Sequence, residues 1–160
     1  MRILQLHANS VVFTPVEKEV AMAEEAEKKE NRVEEVVLLL TAVEEGDNEA
    51  VSEKAVNDVR AFLGKLKVNR ILIYPYAHLS SNLAKPVEAL KVLRAMEAYA
   101  KQKGIETYRA PFGWNKQFAV SVKGHPPAEQ SRSYAPVVAE VETESKKDEK
   151  ESKALKAKKN

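Results

Sequence analysis

The chain of 160 residues contains no cysteine. Without thiols it can form neither a disulfide framework nor a zinc site built from thiolates. It also lacks an apolar run of the roughly 18 to 20 residues that a membrane-spanning helix needs. Lysine and arginine total 26 against 24 aspartates and glutamates, so the strong positive charge typical of proteins that grip nucleic acid through phosphates is missing. These absences predict one cytoplasmic domain without membrane contact, in which any contact with nucleic acid is local.

Several chemical signatures are missing as well. The sequence has no Ser/His/Asp constellation and no glycine-rich phosphate loop, which argues against covalent nucleophilic catalysis and ATP use. The three histidines, His7, His78 and His125, lack metal-ligand spacing and have no local cluster of carboxylates. We therefore expect no metal and no cofactor, and any hydrolytic chemistry would depend on a positioned water molecule.

The middle of the chain has the pattern of an α/β crossover unit. Residues 33–43 form the most hydrophobic run and predict a central strand, and Asn48 is placed to cap a following helix. Residues 70–74 predict the next strand, and a second helix with Pro86 in its first turn should stop before Gly104. Strand, helix and strand in this order predict a parallel pair.

The flanking segments predict further strands and connections. Residues 1–7 and 10–16 suggest a hairpin with a turn at Ala8 and Asn9, and His7 at the end of its strand could then lie near a site. The Glu- and Lys-rich residues 17–32 predict a solvated connection without function in preference to a short surface helix. Three more short strands are expected over residues 105–109, 116–122 and 133–141.

The end of the chain differs in composition from the rest. Residues 140–160 hold 7 lysines and 6 acidic residues among 21 positions, with few apolar side chains. A segment of this composition cannot bury enough apolar surface to offset the entropy of ordering. We therefore expect a domain over residues 1–139 and a charged linker or disordered tail over residues 140–160.

A polar corner between strand and helix is the most informative local feature. In ILIYPYAHLSSNLAKP, residues 71–86, Pro75 should end strand pairing because it lacks a backbone N–H. His78 follows the strand end, and Ser80 offers a hydroxyl to nearby backbone N–H groups. His78 at this position is consistent with a general acid or base, a donor to a substrate, or a histidine bonded to the backbone of the corner.

This corner, together with APFGWNKQF at residues 110–118, KGHPPAEQSR at residues 123–132 and the opening MRILQLH, resembles the N-terminal editing domain of archaeal threonyl-tRNA synthetase. The resemblance covers roughly residues 1 to 138. It implies an α/β fold like that of D-aminoacyl-tRNA deacylases, in which a mixed β-sheet forms a partial barrel with two packed helices. It also implies a homodimer.

The function implied by the resemblance is proofreading. Such a domain would hydrolyse mischarged L-seryl-tRNA(Thr) and spare threonyl-tRNA(Thr), using a positioned water assisted by a ribose hydroxyl of the tRNA. Threonine exceeds serine by one methyl group, which supports only about 10- to 200-fold discrimination in a single pocket. Implied partners are the 3′ end of mischarged tRNA(Thr) and the synthetase catalytic body, in cis or in trans.

The resemblance also assigns residues. It implies a catalytic or water-positioning role for Lys116, and it places His78 against the aminoacyl group. Position 115 is commonly tyrosine in the family and is asparagine here, so its role does not transfer directly. Further expected substrate-binding positions are Val43 and Ala77 through their backbone, Trp114 and Asn115 beside the lysine, and the supporting carboxylate of Glu129.

Two alternative functions stay open at this stage. A D-aminoacyl-tRNA deacylase would share the fold, but its pocket Gly-Pro dipeptide has no counterpart because no Gly-Pro occurs in the sequence. A non-catalytic, tRNA-binding appended domain is the other alternative, and the net charge of +2 argues against it.

Overall fold

The computed structural model describes residues 1–136, and these form one β-sheet with two α-helices. The strands and helices are β1 (Arg2–Lys18), β2 (Asn31–Ala42), α1 (Glu49–Leu66), β3 (Arg70–Pro75), α2 (Pro86–Gln102), β4 (Glu106–Arg109), β5 (Trp114–Val122) and β6 (Glu129–Ser133). Two 3₁₀ turns cover Ala77–Leu79 and Pro126–Ala128. Within residues 1–136, neither α-helix combines the length and apolar character needed to cross a membrane.

The sheet is mixed, with strand order β4-β3-β2-β1-β5 and β6 paired to β1. β2 is antiparallel to β1 and parallel to β3, and β3 is parallel to β4. The parallel pairs arise because α1 and α2 carry the chain back across the sheet. The predicted crossover unit is therefore confirmed, as is the central position of β2.

The predicted hairpin at the start of the chain is wrong. β1 is continuous from Arg2 to Lys18 and pairs along β2 from Arg2–Ala42 to Phe13–Asn31. Its pairing with β5 shifts register between Ala8 and Ser10, as a β-bulge does. A bulge with an exposed Asn looks like a turn in the sequence because both interrupt the apolar pattern at one or two residues. His7 therefore lies inside a strand and not at its end.

Both faces of the sheet are buried along β3. Alternate residues of β3 point to opposite faces, so Ile71 and Ile73 join the core beneath α1 and α2 while Leu72 and Tyr74 join a second core. In that second core Tyr74 meets Phe13 edge to face, with ring centroids 5.8 Å apart. The sheet thus curls round a core of its own, which confirms the predicted partial barrel with two packed helices.

The helix boundaries follow their predicted signals. The Asn48 side chain accepts a hydrogen bond of 3.1 Å from the Val51 amide and so caps α1. Pro86 is the first residue of α2, and Gly104 follows its end with a φ of +80°. These contacts fix where α1 and α2 begin and end on the sheet.

Two predictions at the end of the chain have different outcomes. The last strand among the described residues is Glu129–Ser133, which pairs with Leu6 to Arg2 at the start of β1. Residues 134–136 of the strand predicted over residues 133–141 are not in a strand. Residues 137–141 of the predicted strand, and the tail from residue 140, lie outside the described residues.

Candidate functional site

A cavity of about 460 Å³ lies where β2 and β3 end side by side. The pairing of Thr41 with Pro75 is the last of that ladder, and beyond it the two chains diverge. A crevice at the carboxyl ends of parallel strands is the usual ligand site of α/β sheets, and this volume falls within the range of small-ligand pockets. The remaining walls come from the start of α2, from Phe112–Trp114, and from Glu19, Val20 and Lys116.

The wall next to β3 is held by backbone hydrogen bonds. The Tyr76 amide donates to the Thr41 carbonyl at 2.9 Å, and the Ala84 amide donates to the Val43 carbonyl at 3.0 Å. The Ala77 carbonyl accepts only a long bond of 3.4 Å, from the Ser80 amide. Ala77 therefore keeps most of its capacity to accept a hydrogen bond, whereas Val43 has one lone pair already in use.

Lys116 lies on the opposite side of the cavity, half-buried on β5. Its Nζ donates to the Pro111 carbonyl at 2.9 Å and to the Trp114 carbonyl at 3.1 Å. The same nitrogen lies 5.0 Å from the centre of the Tyr74 ring. Burial lowers the pKa of Lys116 to about 8, against the opposing charges of Glu19 and Glu24. The group is thus mainly an ammonium at neutral pH, held by two carbonyls and an aromatic face.

Tyr74 forms the floor under that ammonium. Its hydroxyl is buried and has no hydrogen-bond partner among the described residues. Burial raises the pKa of Tyr74 well above its ordinary value, with a smaller contribution from Tyr76, so the phenol stays neutral. The sequence showed Tyr74 only as one more apolar strand residue, and its place under Lys116 depends on the curl of the sheet.

The structure brings four of the predicted site residues together. Val43, Ala77, Trp114 and Lys116 all line the cavity. His78 does not line it, although it follows Ala77 directly. Its side chain is exposed, and its ring meets the edge of Tyr76 at a centroid distance of 5.3 Å.

The other two predicted residues lie apart from the cavity wall. Asn115 is exposed opposite Glu17 on β1, and it points away from Lys116 because neighbouring strand residues face opposite sides. Glu129 is exposed at the start of β6, opposite Leu6.

The remaining histidines form a pair elsewhere. The His7 Nδ1 lies 2.7 Å from the His125 Nε2, and neither residue lines the cavity. Burial, then the charges of His125 and Lys123, lower the pKa of His7. The pair joins β1 to the turn before β6, which is a structural position.

The connection after β1 contributes residues that the sequence did not identify. The predicted solvated connection over residues 17–32 is partly wrong, because residues 17–18 belong to β1 and residues 31–32 to β2. Residues 19–24, which we call the strap, have neither helix nor strand, but they are not a solvated connection. Ala23 is buried, and the Glu24 carbonyl accepts a 2.6 Å hydrogen bond from the Trp114 indole. The apolar Val20 and Ala23 inside a charged run were the available signal, because a fully solvated segment would not need them.

Comparisons with known proteins identify relatives of this chain. A family model for the archaea-specific editing domain of threonyl-tRNA synthetase matches residues 1–134. A threonine–tRNA ligase of Nitrosopumilus maritimus is 45% identical over 98% of this chain and 24% of its own length. The threonine–tRNA ligase editing subunit of Saccharolobus solfataricus is 43% identical over 82% of this chain and 34% of its own length. The chain therefore spans about a quarter of the first relative's length and about a third of the second's.

A solved structure of the c-Myc DNA unwinding element binding protein has the same fold, with a TM-score of 0.65, 10% identity, and coverage of 85% of this chain and 100% of that one. Fold and cavity define an α/β partial-barrel domain with a half-buried lysine facing the ends of two parallel strands, and the predicted D-aminoacyl-tRNA deacylase-like fold is confirmed. The chain belongs to the family of archaea-specific editing domains of threonyl-tRNA synthetase.

Proposed function

We propose that this domain hydrolyses the ester of L-seryl-tRNA(Thr) and spares threonyl-tRNA(Thr). The observation that carries the proposal is Lys116, a half-buried ammonium facing the ends of β2 and β3 across a cavity of ligand size. Membership of the editing-domain family supplies the substrate class, an aminoacyl ester on tRNA. Such an ester is already activated, so the protein need only position water and stabilise charge.

The proposed roles of the residues follow from the hydrogen-bond donors and acceptors that are still available in the cavity. Lys116 uses two of its three N–H donors on the carbonyls of Pro111 and Trp114, and the third is free to hold water or the ester oxygen as charge develops there. The Ala77 carbonyl, with only its long intramolecular bond, accepts from the α-ammonium of the aminoacyl group. A ribose hydroxyl of the tRNA assists the attack.

Selectivity is assigned to the walls of the cavity. Trp114 and the backbone at Val43 bound the space for the side chain of the amino acid. Editing needs this wall to hold the seryl ester in a reactive geometry and to displace the threonyl ester by the extra methyl group. His78 at the rim beside Ala77, together with Asn115 and Glu129 outside the wall, is proposed to act on the tRNA end or on a second subunit of a homodimer.

The proposal is tested by deacylation of purified L-seryl-tRNA(Thr) and L-threonyl-tRNA(Thr) under the same conditions. We expect rapid loss of the seryl ester and near-spontaneous loss of the threonyl ester. A seryl ester that persists at its spontaneous rate would exclude the enzymatic function. A D-aminoacyl ester in a parallel reaction separates this function from D-amino acid removal, since preferential loss of that ester would favour the deacylase alternative.

The synthetase body is the proposed partner. The Nitrosopumilus maritimus relative is named as a whole ligase and the Saccharolobus solfataricus relative as an editing subunit. The names of these relatives thus describe both an editing domain in the same chain as the ligase and a separate editing subunit. Adding the separate synthetase body to the seryl-tRNA assay tests whether the domain acts in trans.

A further inference from the structure

We propose that the strap, residues 19–24, positions Lys116 for hydrolysis, and that Glu24 is the positioning residue that fastens it. The inference deepens the proposed function, because it assumes that Lys116 acts on water or on the ester. The inference rests on two sets of contacts. Glu24 contacts the turn before β5, and that turn contacts the Lys116 ammonium.

The first step is a clasp between the strap and the turn. The Glu19 amide donates to the Gly113 carbonyl at 2.7 Å, and the Glu24 amide donates to the Phe112 carbonyl at 3.0 Å. In return, the Phe112 amide donates to the Glu24 carboxylate at 3.0 Å. With the indole bond from Trp114 to the Glu24 carbonyl, the strap bonds three successive turn residues: Phe112 through its N–H and C=O, Gly113 through its C=O, and Trp114 through its side chain.

The second step is an ion pair that holds the Glu24 carboxylate in place. Arg109 at the end of β4 grips both carboxylate oxygens, one of them at 2.9 Å. The same guanidinium donates to Glu97 on α2 at 3.0 Å. Burial alone would raise the pKa of Glu24, but the hydrogen bonds from Arg109 and Phe112 outweigh it, and the pKa is lowered. A two-pronged, partly buried pair of this kind holds geometry better than an exposed ion pair.

The third step is close apolar contact at Gly113. This residue has a φ of +83°, and a Cβ there would lie 2.7 Å from the Val20 Cγ2 and 2.9 Å from the Ala23 Cα. Such distances leave no room for a side chain, so the strap lies directly on the turn.

The last step reaches the lysine. Both carbonyls that hold the Lys116 Nζ belong to this clasped turn, since they come from Pro111 and Trp114. Glu19 and Val20 of the strap line the same cavity as the half-buried Lys116. A strap that detached would therefore release the two carbonyls and admit water to the ammonium.

The test uses two variants that loosen the strap by different means. Glu24→Gln removes the charge that Arg109 grips, and Gly113→Ala pushes the strap away without changing any charge. NMR titration of the Lys116 Nζ gives a readout that needs no substrate. In both variants we expect the pKa of Lys116 to rise from about 8 toward its ordinary 10.5, as burial is lost.

The direction of that shift identifies the cause. The Glu24 charge favours the ammonium, so its removal from an intact strap would lower the pKa of Lys116 further. A rise in Glu24→Gln therefore reports loss of the strap and not loss of the charge. The single-turnover rate of seryl-tRNA hydrolysis should fall by about 10²-fold, because a small displacement of a positioned group lowers the rate by that much. The enzyme concentration that gives half of the maximal rate should change little.

The matched control is Glu25→Gln, which removes the adjacent, exposed carboxylate whose one ion pair among residues 1–136 is with Lys18. We expect it to leave both readouts unchanged. An unshifted or lowered pKa of Lys116 in Glu24→Gln, or normal turnover in both strap variants, would overturn the proposal even if stability fell. Absence of seryl-tRNA hydrolysis in the unmodified domain would instead refute the proposed function. The NMR titration would still show whether the strap controls the burial of Lys116.

Discussion

Lys116 is the residue whose environment says most about mechanism. Burial favours the neutral amine, while the negative charges of Glu19 and Glu24 favour the ammonium, and the net result is a pKa lowered to about 8. The Nζ is held in place by the carbonyls of Pro111 and Trp114 and lies over the Tyr74 ring. The ammonium of an exposed lysine would be surrounded by water and would not be fixed in one position. The protein thus keeps a positive charge that is poorly solvated and directed at one place, which is the property required to stabilise an oxyanion.

This assignment predicts the pH dependence of editing. If the ammonium is the active form, the enzymatic rate on seryl-tRNA should fall as pH rises through about 8, after subtraction of spontaneous hydrolysis. Lys116→Ala should lose about 10²- to 10³-fold in single-turnover rate, with little change in binding, and should lose this inflection. A rate that increases through the same pH would make the neutral amine a general base, and normal turnover with weakened binding would place Lys116 on the RNA.

Among the helices and strands, the sequence predicted those whose pattern repeats over many residues. It missed features that are defined by contact with a segment distant in the sequence. α1, α2, β2 and β3 were located because helical spacing, caps and long apolar runs are local properties. β1 was split in two because the bulge near Asn9 is defined by its partner β5. The strap was taken for solvated chain because its burial comes from Gly113 and Trp114, about 90 residues later.

The candidate site divides in the same way. Lys116, Trp114, Val43 and Ala77 were identified by resemblance, and they line one cavity. Glu24 belongs to no motif that local spacing reveals, and only the fold brings it to Arg109. The sequence likewise could not show that His78 and Glu129 lie outside the cavity lining, because that depends on the exact path of the corner and of β6.

The cap of α1 gives a prediction about a single element. Asn48 accepts from the Val51 amide at the start of the helix that packs on the sheet. Asn48→Ala should reduce the free energy of unfolding by about 1 kcal/mol, measured by urea denaturation, because a helix N–H loses its acceptor. Asn48→Asp is the matched control and should retain most of the stability. Equal stability of the alanine and aspartate variants would show that water replaces the cap at no cost.

For the molecule as a whole, Glu44 joins parts of the chain that are distant in sequence. Its carboxylate receives a 2.7 Å hydrogen bond from the Ser80 hydroxyl in the corner and lies 3.1 Å from the α-ammonium of Met1. The ammonium also contacts Asp47 and the Tyr134 carbonyl. One polar cluster therefore ties together the start of β1, the end of the described chain and the corner that follows β3.

This cluster predicts how stability depends on pH. Burial alone would raise the pKa of Glu44, but the bonds from Ser80 and the Met1 ammonium outweigh it and bring the pKa below its ordinary 4.5. In the unfolded chain the carboxyl returns to that ordinary value, so its contribution is complete above pH 4.5 and is lost as pH falls through the lower, folded pKa. Glu44→Gln should lower the free energy of unfolding at pH 7 by about 1.5 to 3 kcal/mol and should flatten its decline in acid. Glu45→Gln, at the exposed neighbouring position, should leave both the stability and its pH profile unchanged, and an equally steep acid decline in Glu44→Gln would assign that decline to other carboxylates.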